Sequence, residues 1–216
     1  MIKIFEPIFP NALVYIDDIL LFSSNIDAHS AVLAKFHDIV LQYGIMLSEK
    51  KMVVGETKID FLGMHISKGQ YHLQPHIATQ LEAFPDDKLS YKQVQQFLGI
   101  VNYMVDFIHD LAKYRTVLSA KLKKHAPPWN EKCTEAVMEL KHISKTLPAL
   151  KIPSKGKRVL QTDAGDCYWG AILLEEDEKG NRHICGYKSG AFKESEKHYH
   201  SIYKEILAVK RGIEKF

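Results

Sequence analysis

The chain has 216 residues, 46% hydrophobic and 25% charged, with a formal net charge of +3; that is enough apolar material for one large domain or two small ones, and it excludes a disordered or low-complexity chain. No run approaches the roughly 20 apolar residues of a membrane span, and residues 1–10 lack the basic start and small-residue cleavage site of a signal peptide, so a soluble intracellular protein is expected. The basic residues are almost all lysine and the pI is about 8.6, which suits a phosphate-bearing partner but is shared by many ordinary proteins. Cys133, Cys167 and Cys185 are far apart and lack Cys-x-x-Cys spacing, so neither a disulfide framework nor a zinc site is indicated. The His198/His200 and His72/His76 pairs have the wrong geometry for a metal: the first two face different ways on a helix, and the second two straddle Pro75.

Residues 1–11 contain Pro7 and Pro10 and show no period, so they read as an irregular lead-in. The stretch Ala12-Leu13-Val14-Tyr15-Ile16-Asp17-Asp18-Ile19-Leu20-Leu21-Phe22 then places two adjacent carboxylates inside an apolar run. Apolar and β-branched flanks on both sides predict two short strands with the acidic pair at a hairpin tip. Two neighbouring carboxylates repel unless something positive compensates them, and hard oxygen donors of this kind suit Mg²⁺ held together with substrate phosphates. A plain polar turn is the competing reading, since aspartate is a common turn residue.

Helix caps at 23–27 followed by Val32, Phe36, Ile39, Val40 and Tyr43 predict one amphipathic helix ending at Gly44. Strands are expected at 45–48, 52–54, 59–66 and 71–73 with turns at Gly55 and at Lys68-Gly69, giving an α+β layer. From Pro75 the composition turns helical: a capping box at Ser90 opens one helix, and another begins near Asp110. The latter ends in a basic run of Lys113, Arg115, Lys121, Lys123, Lys124 and His125, which reads singly as a solvated face and together as a phosphate track. Residues 131–147 form a further helix between the breaks at 126–129 and 148–157, which together look like a tether. The last section is a strand ending in Asp163, a strand over 167–174, an acidic turn at 175–180, a strand around 183–187 and a helix from about 196 to the end. The strand at Ile184 and the final helix are expected to leave an uncovered apolar sheet face.

Tyr15-Ile16-Asp17-Asp18 with its apolar flanks resembles the catalytic hairpin of reverse transcriptases. The resemblance continues in order through Phe61-Leu62-Gly63, Gln96-Phe97-Leu98-Gly99-Ile100-Val101-Asn102-Tyr103, Thr162-Asp163-Ala164, Tyr168-Trp169-Gly170-Ala171 and Lys204-Glu205-Ile206-Leu207-Ala208-Val209. The order is similar to the polymerase and ribonuclease H portion of polyproteins from long-terminal-repeat retrotransposons and plant pararetroviruses, with 163–170 most like the caulimovirus group.

The resemblance implies a partial palm at 1–74, a helical thumb at 75–125, a tether with one helix at 126–157 and an incomplete ribonuclease H-like α/β domain at 158–216. It implies Asp17 and Asp18 as catalytic metal ligands of the polymerase, and Asp163 and Glu205 as those of the ribonuclease H. Tyr15 would pack against primer or template, Lys51 would assist the departing pyrophosphate, and Phe61, Leu62 and Gly63 would grip the primer. The implied cofactor is Mg²⁺, two per complete site, with Mn²⁺ as a substitute; the implied partners are an RNA template, a DNA primer, an RNA:DNA hybrid and deoxynucleotides, but no membrane. A further palm aspartate and two further ribonuclease H ligands are expected outside this stretch, in missing polyprotein segments on both sides, so the fragment alone is expected to be inactive. The expected location is the cytoplasm or virion, or the nucleus for an endogenous element. The competing readings are a nucleic-acid-binding remnant of a viral insertion and a non-functional relic.

Overall fold

The computed structural model describes residues 2–216. The chain is α+β and divides into two compact units, Met1–Phe61 and Leu62–Phe216. This boundary precedes the expected one at residue 74, because the strands after Phe61 carry Leu73 into the core of the helices that follow.

The first unit opens with α1 (Ile2–Phe5) and a 3-10 turn over Glu6–Asn11. The expected irregular lead-in is therefore ordered: Phe5 is completely buried and stacks on Phe36 with ring centroids 5.5 Å apart. β1 (Ala12–Tyr15) pairs antiparallel with β2 (Asp18–Leu21). Ala12, Val14, Ile19 and Leu21 face a core shared with Phe5, Ile8, Ile39 and Val40, as the two-residue side-chain period requires. α2 (Ile26–Tyr43) is capped by Asn25, whose Oδ1 accepts from the Ala28 N–H at 2.8 Å, and is closed by Gly44 in the left-handed region at φ 60°.

The strands expected at 45–48 and 52–54 do not form. Glu49–Lys51 instead makes a 3-10 turn between extended, exposed segments. β propensity alone could not hold them without a partner strand to satisfy their backbone groups. β3 (Lys58–Phe61) ends the unit.

In the second unit the expected strand at 59–66 is interrupted by a turn, with Leu62 at φ 49° and Gly63 at φ 79°. β4 (Met64–Ser67), β5 (Gln70–Leu73) and the short β6 (Leu150–Lys151) pair in that order, all antiparallel. Between β5 and β6 lie α3 (Pro75–Glu82), α4 (Tyr91–Val101), α5 (Leu111–Ser119) and α6 (Glu131–Ser144). Their apolar stripes meet in one core around Leu81, Val94, Phe97, Leu118, Val137 and Leu140. α6 is thus part of this core and not a helix riding on a tether. Buried Lys141 on α6 fastens the α3–α4 loop by donating to the Phe84 carbonyl and to Asp86, both at 2.6 Å.

A second sheet runs β7 (Lys157–Ala164), β8 (Tyr168–Glu176), β9 (Arg182–Ala191), antiparallel throughout. The short α7 (Glu194–Lys197) and α8 (Ser201–Lys215) replace the single final helix, the break falling at residues 198–200. α8 covers the face bearing Leu160, Trp169 and Ala171 through Lys204, Ala208 and Gly212, so that sheet face is not left bare. The exposed apolar stripe is instead on the outer side of α8, at Ile202, Ile206, Val209 and Ile213.

β9 is tied to the helical part of the same unit. The Tyr187 N–H donates to the Asp106 carbonyl at 2.9 Å, Lys188 pairs with the Asp106 carboxylate, and the Ala112 N–H donates to Ser189 Oγ at 2.9 Å. The expected acidic turn at 175–180 begins two residues later than read: Glu175 and Glu176 belong to β8, and Glu175 is fully buried.

Candidate functional site

The hairpin joining β1 to β2 needs a two-residue reversal, which Ile16 and Asp17 provide. Ile16 sits at φ 52° and is 70% exposed. A β-branched residue in the left-handed region is a strained choice that glycine would avoid. Tyr15 pairs with Asp18 across the hairpin, and both are exposed, as is Asp17 at the tip. Among the described residues neither carboxylate has a hydrogen-bond or ion-pair partner, so the tip presents an uncompensated acidic pair beside an exposed phenol. Lys51 is exposed at the end of the 3-10 turn of the same unit.

Phe61 is half-buried at the end of β3, Leu62 is exposed, and Gly63 closes its turn against Ile77 and Tyr103. A Cβ on Gly63 would come within 2.8 Å of Ile77 Cδ1. Its positive φ favours glycine, and a side chain here would also displace the end of Ile77.

Asp163 is exposed on β7 and pairs with Gly170. Strand alternation places it on the face opposite Leu160 and Ala164, which pack in the α8 core. It lines a groove of about 300 Å³ with Gln161 and Gly170 from the sheet, and with His109, Asp110 and Lys113 from the start of α5. Asp110 heads α5 in the left-handed region, its Oδ2 lies 2.9 Å from His109 Nδ1, and its Oδ1 would sit 3.6 Å from a Cβ on Gly170. A second carboxylate therefore lies in van der Waals range of the strand pair that carries the first.

Glu205 is exposed in α8 and does not line this groove, and no hydrogen bond or ion pair joins it to Asp163. What the fold does bring together are the elements that carry them: buried Lys204 donates from the first turns of α8 to the Asp166 carbonyl at 3.1 Å, in the turn just after Asp163.

Carboxylate oxygens are the right donors for Mg²⁺, which one or two carboxylates plus substrate phosphates usually hold. Among the described residues no group of three His, Cys, Asp or Glu side chains is placed to hold a metal.

The basic run is less uniform than its composition suggests. Lys121 is buried and donates to the Pro127 carbonyl at 3.0 Å and to the Pro128 carbonyl, so it anchors the proline loop and is withdrawn from any phosphate track. Lys113, Arg115, Lys123 and Lys124 are exposed. Sequence reasoning also passed over Asp110, His109 and Lys204. Only Lys204 carried a local signal, as a lysine in the i, i+4, i+8 register with the small residues Ala208 and Gly212 that face the sheet.

Residues 1–66 match the family described as reverse transcriptase (RNA-dependent DNA polymerase), and residues 129–216 match the RNase H-like domain found in reverse transcriptase. The chain thus carries a stretch similar to reverse transcriptases followed by a stretch similar to their RNase H-like domain. It is 53% identical over its whole length to the genome polyprotein of Petunia vein clearing virus (isolate Shepherd), of which it covers 10%. To the enzymatic polyprotein of Cauliflower mosaic virus (strain D/H) it is 42% identical over 208 residues, or 94% of this chain and 31% of that protein. The chain therefore spans a tenth to a third of the length of these relatives. Its fold follows that of the foamy viral protease-reverse transcriptase, solved in complex with an RNA/DNA hybrid and with dsDNA. The TM-scores are 0.78 and 0.77 at 19% identity; 99% of this chain is covered each time, with 29% and 45% of those chains. No described helix is long and apolar enough to cross a membrane.

Proposed function

We propose that this segment supplies the catalytic hairpin of an RNA-directed DNA polymerase and the first half of its ribonuclease H, working within a longer pararetroviral polyprotein on an RNA template, a DNA primer and their hybrid. The observation that carries the reading is the hairpin tip, where Asp17 in the strained turn and Asp18 at the head of β2 stand exposed next to Tyr15, without a side-chain partner among the described residues. Unpaired carboxylates held side by side are costly unless a cation is recruited to them.

In polymerisation the primer 3′ oxygen attacks the α-phosphorus of a deoxynucleotide and pyrophosphate departs. Positioning and charge stabilisation supply nearly all of the catalysis in such transfers. Asp17 and Asp18 hold negative charge where the triphosphate must approach, which selects for a cation-loaded nucleotide. Tyr15, on the same face as Asp18, stacks or packs on the nucleic acid. Lys51 offers positive charge to the leaving pyrophosphate. Mg²⁺ or Mn²⁺, when bound with the phosphates, supplies Lewis acidity and neutralises developing charge. In hybrid cleavage Asp163 and Glu205 serve the same purpose on their own domain, completed by acids elsewhere in the polyprotein. Residues 75–125 act as the thumb that follows the duplex, and the enzyme works in the cytoplasm or in the virion.

The test is a graft. This chain replaces the matching stretch of the Cauliflower mosaic virus polyprotein, and primer extension is measured with Mg²⁺. The unsubstituted graft is expected to extend, and Asp17→Asn or Asp18→Asn to reduce extension by roughly a thousandfold or more, the several kcal/mol that a lost metal site removes. The competing reading, a nucleic-acid-binding remnant, draws support from the lack of a three-ligand cluster among the described residues; it predicts a graft that binds hybrid but extends nothing.

A further inference from the structure

We propose that Lys204 is a positioning residue of the hybrid-cleavage site: its buried ammonium pins the first turns of α8 to the turn after Asp163, and so fixes where Glu205 stands relative to that carboxylate. The inference rests on the ribonuclease part of the reading above and gives a role to a residue that the chemistry itself does not use.

Packing explains the rest of this helix face but not its lysine. Lys204, Ala208 and Gly212 recur every four residues and so share one side of α8. Ala208 is completely buried, and a Cβ on Gly212 would meet Ala171, Leu160 and Thr162 at 3.2 Å, so the helix lies directly on β7 and β8. About 12 Å further toward the start of the helix, the same face carries Lys204, only 7% exposed. A buried ammonium stabilises a fold little or not at all, and an unbranched apolar side chain of similar length would fill the space without the desolvation cost. Something other than stability therefore accounts for the charge.

What the charge holds is the backbone beside Asp163. Lys204 Nζ donates to the Asp166 carbonyl at 3.1 Å and stands 3.7 Å from Asp166 Oδ1. The turn it grips is narrow: Ala164 pairs with Trp169, and the Gly165 N–H donates to the Tyr168 carbonyl at 2.9 Å. The ammonium thus reaches the apex of the loop whose incoming strand carries Asp163 three residues earlier. At the other end of the residue, the Lys204 N–H donates to the His200 carbonyl at 3.2 Å, inside the first turn of α8. Glu205 comes next in that turn, so a fixed Lys204 sets the rotation at which the helix presents it. Among the described residues no hydrogen bond or ion pair joins Asp163 to Glu205. Lys204 supplies a polar link between the elements that carry them.

The experiment has two arms. In the whole chain, Lys204→Met is compared with Lys141→Met, which removes a second buried lysine anchor, on the α3–α4 loop, and amide hydrogen exchange is followed over residues 160–170. Lys204→Met is expected to speed exchange of the Gly165 amide about tenfold, through loss of one charge-assisted bond, while the urea midpoint stays level or rises. Lys141→Met should leave exchange there as in wild type. In the Cauliflower mosaic virus graft, Lys204→Met is expected to lower kcat for hybrid cleavage by about tenfold, with KM for the hybrid and primer extension unchanged. Lys204→Arg, which keeps the charge and the donors, should recover part of that loss. Should Lys204→Met not fold, Lys204→Gln, whose amide falls one bond short of the carbonyl, replaces it in both arms with the same expectations. Equal Gly165 exchange in wild type and variant, or cleavage at the wild-type rate, would overturn the inference while hybrid cleavage stood. A parallel loss of extension and cleavage would also overturn it, by reducing Lys204 to a residue that merely holds the fold. If the unsubstituted graft extends primers but cleaves no hybrid, the ribonuclease reading falls and this inference falls with it.

Discussion

Glu175 shows what a single buried charge does in this fold. It lies inside β8 with almost no exposure, and Lys151 holds it at 2.7 Å while the Ser154 hydroxyl donates at 2.7 Å and the Ser154 N–H donates to its other oxygen. The Lys151 contact first, and then the Ser154 bonds, pull its carboxyl down to about 2 from an ordinary 4.5. A carboxyl depressed in the folded state stabilises the protein above its unfolded pKa and loses that contribution as pH falls through the folded one. Wild type is therefore expected to lose urea resistance from about pH 4.5 down to about 2, and Glu175→Gln to be weaker at neutral pH and flatter across that window. An unchanged slope in the variant would remove Glu175 from the acid response. Ile16 poses the opposite problem, because it is exposed and strained. Ile16→Gly should raise stability by about 1 kcal/mol in urea titration, since it relieves a left-handed β-branched residue at the cost of some unfolded-state entropy. Destabilisation by a similar amount would mean that the side chain is packed.

At the scale of elements, the seat of the Trp169 indole across β9 depends on Gly190. A Cβ there would meet Trp169 Nε1 at 2.5 Å, and Trp169 is buried in the α8 core. Gly190→Ala should cost about 1–3 kcal/mol, as overpacking does, and should shift the Trp169 emission. Asn25→Ala should cost about 1 kcal/mol through the lost cap of α2; a smaller effect than at Gly190 is expected, because the cap is at the surface. These elements also show what the sequence could and could not convey. The hairpin was legible because apolar alternation and an acidic pair agree on one turn. α2 was legible because its cap, stripe and closing glycine all agree. The segments at 45–48 and 52–54 misled because β-branched and apolar residues specify a strand only when a partner is present, and Met46 and Val53 have none. Residues 131–144 were masked as a tether by flanking prolines, which mark breaks in the chain but say nothing of whether the helix between them is buried. The Asp163 groove could not be read at all, since one of its walls, His109, Asp110, Ala112 and Lys113, comes from the start of α5, some fifty residues earlier in the chain.

At the scale of the molecule, the proposed function requires further acids for the hairpin and for the Asp163 groove, each in its own unit. The isolated chain, given Mg²⁺ or Mn²⁺ with a primed RNA template or a labelled hybrid, is accordingly expected to bind without turnover. Turnover that vanishes in Asp17→Asn would show that the chain completes its own site. The most direct measurement separates the two chemistries in the grafted polyprotein by assaying extension and hybrid cleavage on the same preparations. Asp17→Asn is predicted to abolish extension and spare cleavage, and Asp163→Asn to abolish cleavage and spare extension. If Asp17→Asn extends primers at the rate of the unsubstituted graft, the hairpin is not the polymerase centre and the account is contradicted.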